Sequence, residues 1–139
     1  MITATAEIRV RYAETDGMGI AYHANYLAWF EVARCALLES IGLSYRQLDA
    51  DNYLLPVLEA GVRFHAPARF DDRLHVTASI TTPPRVRIRV DYEVRLNGRL
   101  ITAGHTVHAF MNRDGVAIKP PAHVQECFAR AFAPAHPAR

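Results

Sequence analysis

Residues 24–42 constrain this chain more than any other stretch. Leu27, Phe30, Ala33, Arg34, Leu37, Leu38 and Ile41 recur at helical spacing, and Trp29, Val32, Cys35 and Ala36 add apolar surface on the remaining faces. A helix this apolar around its circumference is expected to be largely buried, and Gly42 is its expected stop. At 1.5 Å per residue it makes a rod of roughly 26 Å. A single buried rod needs something to surround it, and the rest of the chain supplies strands.

Residues 6–12 alternate, with Ile8, Val10 and Tyr12 on one side and Glu7, Arg9 and Arg11 on the other. Residues 13–22, with Gly17 and Gly19, break the pattern and read as a loop. After the helix, Ser44 is placed to cap a short helix over Tyr45–Ala50. Tyr53 to Ala66 reads as extended, and Pro56 and Gly61 suggest a sheet edge or a bulge. Leu74, Val76, Ala78 and Ile80 alternate with polar residues, as do Val86 to Leu96. Asn97-Gly98 is the signal of a type I′ hairpin, with Arg99 to Met111 as the return strand and Asp114-Gly115 as a further turn. Ala122 to Phe132 reads as a last short helix, and Pro134 to Arg139 as a frayed end.

The order is strand, long helix, then four strands, of which at least the last three are antiparallel. The simplest two-layer solution is α+β: a five-stranded antiparallel sheet wrapped around one long central helix. At 139 residues, 50% hydrophobic and without internal repeats, the chain is expected to form one domain over residues 1–139.

Several function classes drop out. No apolar run reaches the roughly 18–20 residues of a membrane span. Glu7 and Arg9 interrupt the N-terminal apolar stretch, so no signal peptide is expected. A net charge of +2 is too small to suggest nucleic-acid binding. Lys119 is the only lysine among 16 cationic residues, an arginine bias that a GC-rich genome also produces. Cys35 and Cys127 stand far apart, so neither a zinc site nor a disulfide framework is expected and a reducing, cytoplasmic compartment is the default. Of the seven histidines, His105 and His108 fall on opposite faces of a strand and His65 and His75 stand alone, so no metal is expected. There is no P-loop, no Gly-x-Gly-x-x-Gly and no nucleophile-elbow serine.

The segment Glu14 to Tyr26 differs from the rest. Two acids, two glycines and a histidine sit between a strand and the start of the buried helix. That helix start offers free N–H groups and the positive end of its dipole, suited to an oxyanion. Asp16 is close enough in sequence to fold back beside it. A carboxylate near such an end makes a minimal acyl-transfer site. The plainer alternative is that Asp16 caps a turn formed by the glycines and that His23 is a surface residue.

Asp16-Gly17-Met18-Gly19-Ile20-Ala21-Tyr22-His23-Ala24-Asn25-Tyr26, followed by Phe30-Glu31-Val32-Ala33-Arg34, resembles the signature of hot-dog-fold acyl-CoA thioesterases of the 4-hydroxybenzoyl-CoA thioesterase family. The Tyr22-His23 pair is most similar to the branch associated with the Tol–Pal system of proteobacteria. Phe64-His65-Ala66-Pro67-Ala68-Arg69-Phe70-Asp71-Asp72 resembles that branch's second motif. The resemblance spans roughly residues 6–120. It departs at Glu14, where the branch often has Asp, and at Gly17-Met18.

The resemblance implies a hot-dog fold and hydrolysis of acyl-CoA without metal or cofactor. By its pattern Asp16 is the catalytic carboxylate, nucleophile or general base, and the His23 N–H polarises the thioester carbonyl, with the His23 side chain as a catalytic partner. Tyr22, Asn25, Tyr26 and Met18 would shape the substrate pocket or the helix start. Glu31 and Arg34 would pair as i, i+3 neighbours. It also implies dimers, or dimers of dimers forming a homotetramer, joined edge to edge along the second strand. Gly61 would then allow close approach, and Arg85, Arg87, Arg89 and Lys119 would be candidates for the CoA phosphates. Two other readings use the same residues: a non-catalytic module that binds an acyl or aryl ligand or a protein partner, and a thioesterase acting on acyl-carrier protein.

Overall fold

Period-two alternation becomes five strands. A computed structural model describes residues 1–134; the end expected to fray lies, from residue 135 on, outside them. The strands are β1 (Ile2–Arg9), β2 (Val57–Phe64), β3 (Arg73–Ile80), β4 (Arg87–Leu96) and β5 (Arg99–Ala109), and the helices are α1 (Asn25–Ser40), α2 (Tyr45–Ala50) and α3 (Ala122–Phe132). The strands form one sheet in the order β1-β3-β4-β5-β2, antiparallel throughout.

The local signals hold. Ser44 Oγ accepts the Gln47 N–H and starts α2. Asn97 (φ +51°) and Gly98 (φ +79°) form the tight β4–β5 hairpin, whose positive φ values match the twist of the strands. β2 is an edge strand, paired only with β5 and irregular between Val57 and Glu59. One boundary moves: β1 begins at Ile2 and ends at Arg9, and Tyr12 sits in a single 3-10 turn, exposed. Its alternation continues the strand on paper, but the chain turns once Val10 has paired with residues 71 and 72.

The core lies between α1 and the inner face of the sheet. Phe30, Ala33 and Leu37 of α1 meet Leu74, Val76, Val90, Tyr92 and Val94, all buried. Phe30 stacks on Tyr92 with ring centroids 4.3 Å apart. Burying each large apolar side chain contributes roughly 1.5–3 kcal/mol. α1 is nevertheless not buried all round. Leu27 and Val32 are 45% and 46% exposed, and Cys35 is half-buried. A curved sheet covers one side of a rod, and no other described element closes the opposite side.

The inner row of β5 carries polar residues. Thr102, Gly104, Thr106 and His108 pair with the inward residues Val94, Tyr92, Val90 and Ile88 of β4. Arg34 joins them from α1, buried, with Nε donating to Tyr45 Oη and Nη1 to Tyr92 Oη. The expected Glu31–Arg34 pair is present but long, at 4.0 Å.

The strand directions gather the ends of β1, β2 and β4 and the starts of β3 and β5 at one end of the sheet. The loops over residues 10–24 and 65–72 meet there. Val10 exchanges backbone hydrogen bonds with Asp71 and Asp72, and the Ala21 N–H donates to the Ala68 carbonyl at 2.8 Å.

Candidate active site

The loop between β1 and α1 is a small hairpin. Thr15 bridges to Ala21, the Asp16 N–H donates to the Ile20 carbonyl (2.9 Å) and the Gly19 N–H to the Asp16 carbonyl (3.0 Å). Gly17, Met18 and Gly19 form its tip, with Gly19 at φ +76°. Asp16 sits at the base of the tip, half-buried, and its Oδ1 accepts the Met18 N–H at 2.9 Å. Among the described residues Oδ2 has no partner. The turn-capping reading of Asp16 therefore holds, and it leaves one carboxylate oxygen free.

The second limb of the hairpin leads into α1. The Tyr22 N–H donates to the Glu14 carbonyl (2.8 Å), the Asn25 N–H to the Tyr22 carbonyl (3.0 Å) and the Tyr26 N–H to the His23 carbonyl (3.4 Å). Ala24, at the helix start, has no side-chain cap. Among the described residues no acceptor takes the N–H of His23 or of Ala24. Two free donors thus stand at the positive end of a 16-residue helix.

Glu14 braces this arrangement. It is buried, with Oε1 accepting the Arg11 N–H (2.8 Å) and Oε2 the Trp29 indole N–H (2.9 Å). Burial pushes its carboxyl up, but these hydrogen bonds and the nearby Arg11 guanidinium outweigh that and hold it below the ordinary glutamate value.

A cleft of about 330 Å³ opens between the hairpin, the start of α1 and the chain just after β2. Asp16, Met18, His23 and Tyr26 line it from one side, Phe64 and His65 from the other. Tyr26 is buried and meets Phe64 edge to face at 5.2 Å; burial raises its phenol above the ordinary value. The two sequence motifs therefore form the two walls.

The other expected residues lie elsewhere in this chain. Asn25 turns away, donating from Nδ2 to the Glu14 carbonyl at 2.7 Å, and supports the helix start. Tyr22 is exposed, its ring 4.5 Å from that of His23, and does not line the cleft. Gly61 sits on β2 opposite His105. Arg87 and Arg89 stand on the outer face of β4, Arg89 paired with Asp91. Lys119 joins Arg85 at a second cleft of about 420 Å³, at the opposite end of the sheet, over Phe110 and Phe128. By the resemblance, residues 57–65 are expected to line a partner's pocket; Phe64 and His65 line this chain's own cleft. Glu14 carried no signal beyond its departure from Asp.

The chain belongs to the thioesterase-like superfamily, whose family model matches residues 10–132. It is 39% identical over 75 residues to the acyl-CoA thioester hydrolase YbgC of Escherichia coli O157:H7, covering 54% of this chain and 56% of that protein. It is 33% identical over 111 residues to the 1,4-dihydroxy-2-naphthoyl-CoA hydrolase of Synechocystis, covering 78% of this chain and 80% of that protein. The chain spans about half the length of the first curated relatives it matches. The structure of a DHNA-CoA thioesterase from Staphylococcus aureus superposes with a TM-score of 0.90 at 30% identity, over 94% of this chain and 91% of that one. The fold is the hot-dog fold that the motifs implied. These relatives place the chain in the superfamily.

Proposed function

We propose that this chain hydrolyses acyl-CoA thioesters to the free carboxylic acid and CoA. One observation carries the reading: Asp16, with one carboxylate oxygen unpaired, and His23, at the helix start with its N–H free, line one cleft. A thioester carbonyl seated there receives the His23 and Ala24 N–H groups on its oxygen. Asp16 then either takes a proton from an attacking water or attacks the carbonyl carbon itself, giving an acyl–Asp16 anhydride that water hydrolyses to the acid once the thiolate has left. The developing oxyanion is held by the two amides, the C–S bond breaks, and the CoA thiolate leaves and takes up a proton. The exposed His23 imidazole, at the cleft, is suited to assist that departure. No cofactor enters these steps. Relatives named as acyl-CoA thioester hydrolases support the reaction class.

We also propose that copies pair across β2. It is an eight-residue edge with Val57 and Leu58 about half exposed, the kind of edge that pairing covers. A two-fold axis there sets opposite ends of the two sheets side by side. The Arg85–Lys119 cleft of one copy then approaches the Asp16 cleft of the other, where CoA phosphates would be met. Two unpaired cysteines, one buried and one half-buried, suit a reducing compartment. No described helix is long and apolar enough to cross a membrane.

The test is CoA release, followed with a thiol reagent, on acetyl-, octanoyl-, palmitoyl- and benzoyl-CoA, for the wild type and Asp16→Asn. Turnover that collapses in the variant supports the proposal. No turnover on the panel, with turnover on acyl-carrier protein, moves the activity to that carrier. Ligand-induced thermal stabilisation without release from either carrier favours a binding module.

A further inference from the structure

We infer that Glu14 is a positioning residue that sets the spacing between the Asp16 carboxylate and the His23 amide. The inference rests on the hydrolytic reading of that cleft and adds a residue to it. Asp16 lies on the outgoing limb of the hairpin and His23 at the end of the returning limb. Their separation depends on what ties the limbs together.

Glu14 makes that tie with both ends of the residue. Its side chain is held from two directions, by the Arg11 N–H on Oε1 and the Trp29 indole N–H on Oε2. Its carbonyl accepts the Tyr22 N–H at 2.8 Å and Asn25 Nδ2 at 2.7 Å. Trp29 and Asn25 both belong to α1, one turn apart. One residue thus fixes the strand exit, the returning limb and the first turn of the helix, with Asp16 two positions along. Both oxygens of the buried carboxylate accept from N–H donors. An amide in its place would turn an NH₂ group against one of those donors.

Trp29 is the only tryptophan, so its indole N–H is a single reporter of the contact. The experiment uses the full chain labelled with ¹⁵N, as wild type, Glu14→Gln, Glu14→Asp and Asp16→Asn. Amide exchange is read at Met18 and Tyr22 against Val76 and Val90 in the core. The kcat and KM are read on the acyl-CoA that wild type turns over fastest. In Glu14→Gln the indole resonance shifts, and Met18 and Tyr22 exchange about tenfold faster or more, with Val76 and Val90 unchanged. The kcat falls by about 10- to 100-fold, the scale of a small misplacement of reacting groups, while KM stays within about threefold. Glu14→Asp keeps the charge and holds kcat within about fivefold of wild type.

Unchanged kcat in Glu14→Gln overturns the inference. So does a fall in kcat with wild-type exchange at Met18 and Tyr22, or faster exchange at Val76 and Val90 in step with the loop, which marks general loosening. Full activity in Asp16→Asn sinks the hydrolytic reading instead and leaves the exchange result standing. If wild type turns over nothing, the exchange measurement alone decides whether Glu14 holds the loop.

Discussion

Arg34 Nη1 donates to the Tyr92 hydroxyl across 2.9 Å, between α1 and the sheet. Its Nε donates to the Tyr45 hydroxyl at 2.8 Å, and the one described carboxylate within 4.0 Å belongs to the exposed Glu31. The buried guanidinium is therefore solvated by phenols. Removing it strands the Tyr45 hydroxyl, leaves the Tyr92 hydroxyl with Thr106 alone, and opens a cavity. Arg34→Ala is expected to cost about 3 kcal/mol, and Tyr92→Phe about 2 kcal/mol because that hydroxyl also meets Thr106 Oγ1 at 2.7 Å. Urea midpoints at constant m-value measure both.

Asp16→Asn keeps an Oδ1 that accepts the Met18 N–H and removes only the charge and the basicity. We expect kcat on acyl-CoA to fall by about 10²- to 10⁴-fold. Stability should stay within about 0.5 kcal/mol of wild type. Parallel CoA-release and thermal-unfolding measurements check the two halves, and a comparable fall in both would assign Asp16 to the fold alone.

His108 is buried at the inner row of β5, with Nε2 2.8 Å from Thr106 Oγ1 and Nδ1 3.2 Å from the Leu55 carbonyl. Burial, and secondarily the charge of Arg34, push its imidazole down to about 4 from the usual 6.5. The unfolded chain therefore binds more protons between those two values. The stabilisation is complete above pH 6.5 and is lost as the pH falls through the folded value. We expect the protein to lose about 2 kcal/mol from this group between pH 6.5 and 4. His108→Gln should flatten that part of the stability profile, measured by urea unfolding at each pH.

Gly104 and Gly61 face each other's strands but differ in what a methyl group would meet. A Cβ on Gly104 would lie 2.7 Å from the Gly61 carbonyl oxygen and 2.7 Å from the Phe30 ring, neither free to move. On Gly61 it would meet the His105 ring at 2.6 Å, and that side chain can swing outward. Gly104→Ala should cost about 3 kcal/mol and Gly61→Ala under about 1 kcal/mol. Thermal unfolding of the two variants gives the order; the reverse order would show that His105 is pinned.

The features legible in the sequence were those with local causes. Ser44 before a short helical run, Asn97-Gly98 between alternating runs, and the strict alternation of β3 and β4 each fix geometry within a few residues. The motif pair located the cleft, because each motif supplies one wall. What stayed hidden depends on distant neighbours. On β5 the alternate residues Ala103, His105 and Val107 lie on the outer row, while Ile101, beside the irregularity opposite Val94 and Arg95, is buried in the core. Register with β4 turns Thr102, Thr106 and His108 inward, where Arg34 and Tyr92 provide partners. The exposure of Leu27 and Val32 follows from how far the sheet curls, which no local pattern states. Glu14 reads as one of two loop acids until Trp29, 15 positions away, is seen to reach it.

The hairpin between β1 and α1 separates two tasks along one short piece of chain. Asp16 and His23 sit on limbs clamped at the base, while Gly17, Met18 and Gly19 project beyond the clamp, with Met18 at the cleft and 75% exposed. On the proposed hydrolytic reading, Met18 is the tip side chain an acyl group would meet, whereas Gly19, at φ +76° and bonded to the Asp16 carbonyl, resists replacement. In that reading, exchange at Met18 would retune acyl preference while Asp16 and His23 keep their places on the clamped limbs.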